Sequence, residues 1–267
     1  MNTATALPVG TQLRDWRLRR RLSQLDLAGE ADISTRHLSF VETGRAAPSR
    51  EMVLRLANRL DVPLRERNRL LVAAGYAPMY GERGLDEPAM AAARQAIDLV
   101  LKGHEPYPAL AVDRHWTLVS YNRAVPVLMA GAAPQLLKPP VNVLRLSLHP
   151  DGLAARIVNL AAWRAHVLER LRQQIVASGD DELGALADEL RGYPGPPHAE
   201  PVPDQHVVVP LVLDTPQGTL SFISTTTVFG TPVDVTLSEL ALETFFPADA
   251  TTADRLNRLA DARRAAT

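Results

Sequence analysis

The chain predicts two domains of different class. The first is an all-α domain of five helices built around a helix-turn-helix, and the second is an α+β domain with an antiparallel sheet. Three observations carry that division. Residues 8–76 show helical periods separated by cap and stop residues, with no strand signal. From Tyr107 onward, short runs of strand character alternate with helical stretches. The charge also changes sign, because residues 1–80 hold 13 arginines against 8 acidic residues while the remainder holds 16 basic against 22 acidic. A basic module on an acidic body suits a polyanionic partner for one half only.

In the first domain, Leu13 and Trp16 face a core from a helix over about Thr11 to Arg20, and Arg14, Arg17, Arg19, Arg20 and Arg21 crowd its wet sides. Ser23 opens the second helix, and Asp26 completes a capping-box pattern three residues later. Leu25 and Ala28 point inward, with Leu27 as a further candidate. Ala31-Asp32-Ile33 is the turn, and Asp is one of the few non-glycine types that accepts a left-handed conformation there. Ser34 caps the third helix, which runs to about Thr43 with Leu38 and Val41 inside and Gly44 as its stop. Glu42, an acid on a basic surface, is expected to fix the loop toward the fourth helix by an internal hydrogen bond. That helix, Arg50 to Leu60 after the Ser49 cap, carries Val53, Leu56, Ala57 and Leu60 on one face. Pro63 starts the fifth helix, which ends before Gly75.

Residues 77–90 mix Gly, Pro and charge and read as a linker. Then comes a helix to about Gly103 with Ala96, Leu99 and Val100 as its apolar stripe. Ala109–Val112 and Trp116–Tyr121 form a hairpin, and Asn122 caps a helix through Leu128. The apolar run 144–148 ends at the turn 149–152, and Ala154 to Ser178 reads as one long helix. Residues 192–204 form a Pro-rich surface loop, read as a spacer in preference to a partner ligand. His206–Leu213 and Thr219–Val228 are a second hairpin, Val233–Thr236 an edge strand, and 251–267 a helical tail that frays.

The residues carry two resemblances. Ser23-Gln24, Ala28, Ile33-Ser34, Leu38-Ser39, Glu42 and Gly44 match the spacing of the Cro/C1-type (XRE) helix-turn-helix family, with Asp32 where that family usually has Gly. The resemblance implies a double-stranded DNA partner, with Gln24, Thr35, Arg36 and His37, next to the Ser34 cap, as readers. Arg36 has the chemistry to bridge guanine O6 and N7, and Gln24 to bond a phosphate or an adenine edge. Phe40 lies one turn further along that face, where it meets a thymine methyl or packs under the Arg45 loop. Arg45 and the helix start at Ser49 and Arg50 suit phosphate.

The stretches EPYPAL, VDRHW, NVLRLSLHPDG, RIVNLAAWRAHVLERL and FGTPVDVTLSELALETFFPAD resemble the MmyB-like transcription regulators. That resemblance implies a PAS-like ligand-binding and dimerisation domain over 91–250. It also implies a homodimer and a small apolar ligand, fatty-acid-like or otherwise. Trp116, Phe222 and Phe229 from strands, with Leu160 and Trp163 from a helix, are candidates to line the pocket. Arg145, Arg156 or His166 would meet a carboxylate head. The competing reading makes these aromatics plain core and the domain a dimerisation or protein-docking module without ligand.

No catalytic motif with proper spacing is present, so no enzyme is expected, and no cofactor. His149, His166, His198 and His206 show no paired ligand spacing, so no metal is expected either. The chain has no cysteine, no secretory signal pattern and no long apolar run. It is therefore read as cytoplasmic, without membrane insertion.

Overall fold

The structure, a computed structural model, describes residues 7–195 and 208–265. The Pro-rich loop beyond residue 195 and His198 and His206 lie outside the described residues. The chain forms two compact units. One holds the residues up to Arg83 with the short pieces 176–178 and 231–238, and the other holds the rest.

The first unit has five helices: α1 (Val9–Arg19), α2 (Gln24–Glu30), α3 (Thr35–Glu42), α4 (Arg50–Arg59) and α5 (Leu64–Ala73). They enclose one core of Leu13, Trp16, Leu27, Leu38, Val41, Val53, Leu56, Leu60, Leu70 and Leu71. Ser23, Ser34 and Ser49 each cap a helix as the sequence predicts, and the Ser23–Asp26 capping box is complete. All five helices end alike, with a left-handed residue at Arg21, Asp32, Gly44, Asp61 or Gly75. The amide after each such residue reaches back to the last turn: Leu22 to Arg17, Ile33 to Ala28, Arg45 to Phe40, Val62 to Ala57 and Tyr76 to Leu71. This is the Schellman arrangement, which satisfies carbonyls that a helix end would otherwise leave open.

Two expectations change here. Leu25 is 70% exposed, whereas Leu27 is fully buried. The inward face of α2 is set by Leu27, Ala28 and Ala31, three and four residues apart, and Leu25 falls outside it. Arg17 is buried, not wet. The start of the linker packs on α5, as Met79 and Tyr80 within it suggest: Asn68 accepts from the Met79 and Tyr80 amides at 2.9 and 3.0 Å and donates to the Tyr80 carbonyl.

The second unit is a five-stranded antiparallel sheet of β1 (Ala109–Val112), β2 (Leu118–Tyr121), β3 (Leu211–Leu213), β4 (Leu220–Val228) and β5 (Ala241–Pro247). Their order is β2-β1-β5-β4-β3, the PAS-like arrangement that the resemblance implies. The central strand β5 pairs with both β1 and β4 and was not read from the sequence. One face of the sheet, with Ala109, Ala111 and Leu242, meets Ile97 and Leu101 of α6 (Ala91–Gly103). Leu99 and Val100 of that helix are exposed, so its inward stripe is set by the i, i+4 pair Ile97 and Leu101.

The other face, with Leu110, Val112, Leu213, Phe222 and Phe245, carries the main core. Over it lie α7 (Pro126–Met129), α8 (Val143–Leu148), α9 (Leu160–Ser178) and α10 (Asp181–Gly192), the last missed in the sequence. The long helix does not start at Ala154. Ile157 bridges to Leu213 and the Val158 amide donates to the Val212 carbonyl, so these residues serve the sheet edge and α9 begins after them. Of Val233–Thr236, expected as an edge strand, Asp234 makes one isolated bridge, to Gly81, and Val235 and Thr236 open a helical turn of the first unit, α11 (Val235–Ser238). The expected tail is α12 (Ala250–Ala265), anchored by fully buried Leu256 and by Thr252, whose hydroxyl accepts from the Ser221 amide. Among the described residues no helix is long and apolar enough to cross a membrane.

Candidate DNA-reading face and ligand cavity

The outer face of α3 follows from how its inner face is held. Ser34 Oγ accepts from the His37 amide at 3.1 Å, which fixes the first turn, and Leu38 and Val41 are buried beneath. Thr35, Arg36 and His37 are therefore left outward at the helix start. The Arg36 guanidinium lies 5.3 Å from the Phe40 ring centroid, and that of Arg45 lies 5.9 Å from the same ring. Phe40 is half-buried and serves as a shelf between two cations, which limits the wandering of Arg36. Ser49 Oγ accepts from the Met52 amide as the helix cap, and the donors left open there are the Ser49 hydroxyl hydrogen and the first-turn amides at Arg50.

Under this face lies a buried charge cluster. Glu42 receives Arg17 Nε at 2.7 Å and Arg17 Nη2 at 2.9 Å, a two-pronged pair, and Arg17 Nη1 also donates to the Leu22 carbonyl. The bonded carboxylate holds the Arg17 guanidinium above its ordinary pKa. Glu42 thus ties α3 to α1 and does not serve the loop toward α4, correcting the expectation. Gln24 Nε2 donates to Glu42 at 2.8 Å. That bond takes one of the two Nε2 hydrogens, which leaves the amide oxygen as an acceptor and the second Nε2 hydrogen as a donor for a base edge or a phosphate. Gly10 permits the α1–α3 crossing, because a Cβ there would sit 2.2 Å from the Val41 carbonyl oxygen.

In the second unit a cavity of about 90 Å³ lies between the inner sheet face and α7, α8 and α9. Its wall is mainly Leu, Val, Met and aromatic carbon, including Trp116, Leu128, Val143, Trp163 and Phe245. Trp116 sits in the turn between β1 and β2 at φ +66°, not in a strand. Its indole Nε1 donates to Gln174 Oε1 at 2.8 Å, and Trp163 Nε1 donates to Ser147 Oγ at 2.9 Å. One ion pair reaches the wall. Arg170 Nη1 donates to Glu243 Oε2 at 3.0 Å, and its guanidinium lies 4.6 Å from the Trp116 ring centroid. His166, also in the wall, is held below its usual pKa by burial first and then by Arg170, so it is neutral at pH 7.

Residues 93–259 match the MmyB-like transcription regulator ligand binding domain, and residues 8–70 match a helix-turn-helix domain. The chain belongs to the MmyB-like transcription regulators. No curated protein matches it. A solved structure of an RNA-binding light-oxygen-voltage receptor is similar at 12% identity with a TM-score of 0.27. That match covers 96% of this chain and 64% of the receptor chain, so the chain spans less than two thirds of the receptor's length.

In this MmyB-like regulator the cavity gathers only three of the expected lining residues, Trp116, Trp163 and His166. Arg145 is instead paired with Glu189 at 2.8 Å, at the surface. That bond holds Glu189 below the usual carboxylate range, and burial together with Glu189 pushes Tyr193 up to about 12. Arg156 turns its Nη2 to the Leu128 carbonyl at 2.7 Å and does not line the cavity. Leu160 packs on the core without lining the space, and Phe222 is fully buried, edge-on to Phe245. Phe229 lies against the α6 side of the sheet. Arg170, Glu243, Ser147 and Ser224 line the wall and were not singled out. A signal existed: Trp163, His166, Arg170 and Gln174 recur every three or four residues, a polar stripe on an otherwise apolar helical face. Among the described residues, no three His, Asp or Glu side chains are grouped to hold a metal.

Proposed function

We propose that this regulator acts as a homodimer that reads a near-palindromic DNA site and whose affinity for it is set by a small apolar ligand. Gln24, Thr35, Arg36, His37 and Phe40 contact bases or their edges, and Ser34, Arg45, Ser49 and Arg50 contact phosphates. In a dimer the two α3 helices enter successive major grooves about 34 Å apart. What supports the reading most is Arg36, outward at the start of α3 and shelved on Phe40, where its fork suits guanine. Ligand binding shifts DNA affinity only if it favours one dimer geometry over another.

The cavity volume bears on the ligand class. Pockets for drug-sized ligands are roughly 300–1,000 Å³. The present space of about 90 Å³ suits a compact compound, and a fatty-acid-like chain would need the helices over the sheet to part. Arg36→Ala tests the reading face. It is expected to weaken binding to the cognate site by about 1–3 kcal/mol while affecting random DNA less. Equal loss on both, measured by titration at one fixed salt concentration, would leave only a phosphate role and defeat base reading. Sedimentation of the full chain with and without its DNA site tests the dimer.

A further inference from the structure

The charged groups in the cavity wall are already satisfied by one another. Glu243 stands on the central strand β5, on the side of the sheet shared with Ala241 and Phe245, and its side chain is 5% exposed. Both Arg170 terminal nitrogens donate to it, and Thr226 Oγ1 donates to Glu243 Oε1 at 2.8 Å. Arg170 is further occupied by the face of Trp116. The only other titratable wall residue is His166, whose ring makes no hydrogen bond among the described residues. The net charge of the wall is therefore zero, with neither partner of the pair left over. The uncommitted polar capacity lies in His166, in Ser224, whose hydroxyl makes no hydrogen bond among the described residues, and in the Ser147 hydroxyl hydrogen, since Ser147 Oγ is used as acceptor by Trp163.

We infer that the cavity selects an uncharged compound, an apolar body with one hydroxyl or carbonyl end, and rejects carboxylates and ammonium ions of the same size. This rests on the reading that the cavity holds a ligand. The physical reason is asymmetry of cost. A hydroxyl or carbonyl exchanges hydrogen bonds with His166, Ser224 or Ser147 and leaves the ion pair in place. A carboxylate must take Arg170 from Glu243, which strands a buried anion, or enter with its own charge unpaired. Either route loses more than the new contact returns. An ammonium ion meets the mirror-image difficulty at Glu243.

The experiment compares probes that share an alkyl chain and differ in their head: n-alkanols from butanol to decanol, the matching alkanoates and the matching alkylamines. Binding to the full-length protein at pH 8 is followed by calorimetry and by the fluorescence of Trp116 and Trp163. The alkanol is expected to bind roughly tenfold or more tightly than the alkanoate of equal length. Glu243→Gln keeps the shape and the hydrogen bond to Thr226 but frees the Arg170 charge, so the order should reverse in favour of the alkanoate. Equal or tighter binding of the alkanoate by the unaltered protein overturns the inference and leaves the ligand reading standing. So does an alkanol preference that persists undiminished in Glu243→Gln. If no probe binds either protein, the ligand reading fails, and the inference with it.

Discussion

Each unit of this regulator holds an arginine–glutamate pair with a buried carboxylate, Arg17–Glu42 in the first and Arg170–Glu243 in the second, and the two pairs do different work. Arg17–Glu42 is closed on all sides, with side chains 8% and 1% exposed, and its third partner is Gln24, one of the proposed readers. Arg170–Glu243 is 27% and 5% exposed and forms part of a cavity wall. The first pair fixes a crossing angle, because it joins α1 to the end of α3 and so sets how α3 is presented. The second pair holds a charge balance beside empty space. A buried ion pair is weak evidence for net stability, since desolvation offsets attraction, but breaking one partner away is costly in either setting. What distinguishes them is whether anything else can approach, and only the second has room beside it.

The sharpest way to break this contrast is Glu42→Ala. It leaves the Arg17 guanidinium buried without its anion, and the loss of stability should be about 3–5 kcal/mol. Replacing both partners, Arg17→Met with Glu42→Leu, should recover most of it. Denaturant melts of the full chain check both, and failure of the double variant to recover would show that the pair contributes net stability. Gly10→Ala attacks the same crossing through sterics, because its Cβ would overlap the Val41 carbonyl oxygen. We expect about 1–3 kcal/mol lost, with weaker DNA binding as α3 is displaced. An unchanged melting midpoint would mean that α1 shifts freely.

A smaller effect of opposite sign should follow from Asp61→Gly, since Asp61 holds φ +45° at the end of α4. Relief of the left-handed penalty should add about 0.5–1 kcal/mol, read as a higher midpoint without loss of cooperativity.

The smallest effect belongs to the cavity. Folding lowers the pKa of His166 from its ordinary 6.5, by burial and then by Arg170. Between the folded and unfolded values the unfolded chain therefore binds more protons, so stability is fully present above pH 6.5 and declines as pH falls below it. His166→Gln should flatten that slope in melts taken across the window. An identical slope in the variant would assign the pH dependence to other groups.

Much of the first unit was legible because its signals are local. A serine before a helix, an acid three residues on, and a residue able to turn left-handed each act within one turn of chain, so Ser23, Asp26, Ser34, Asp32 and Gly44 could be placed one by one. Arg17 was not legible. Nothing within its own helix marks it as buried, and its partner lies 25 residues away. In the second unit the same limit covers more. ALETFFP reads as neither a clean helix nor a clean alternation, because a central strand is covered on both faces and loses its period-two pattern. Glu243 stands in that strand, and no local pattern marks it. Ile157 and Val158 carry a helical pattern yet pair with β3, since an unpaired sheet edge offers them hydrogen bonds that an extra helical turn would only match.

By itself, then, the sequence determined the two-unit plan, the helix-turn-helix with its caps and stops, and the family, all of which rest on short-range chemistry or long matched stretches. Only the tertiary structure decided which charges are spent inside. It closed Arg17 on Glu42, turned Gln24 toward them, moved Arg145 and Arg156 away from the cavity, and put Arg170 and Glu243 in its wall. Whether a charged side chain is free to meet a ligand depends on what stands opposite it, and that is set by packing between distant segments.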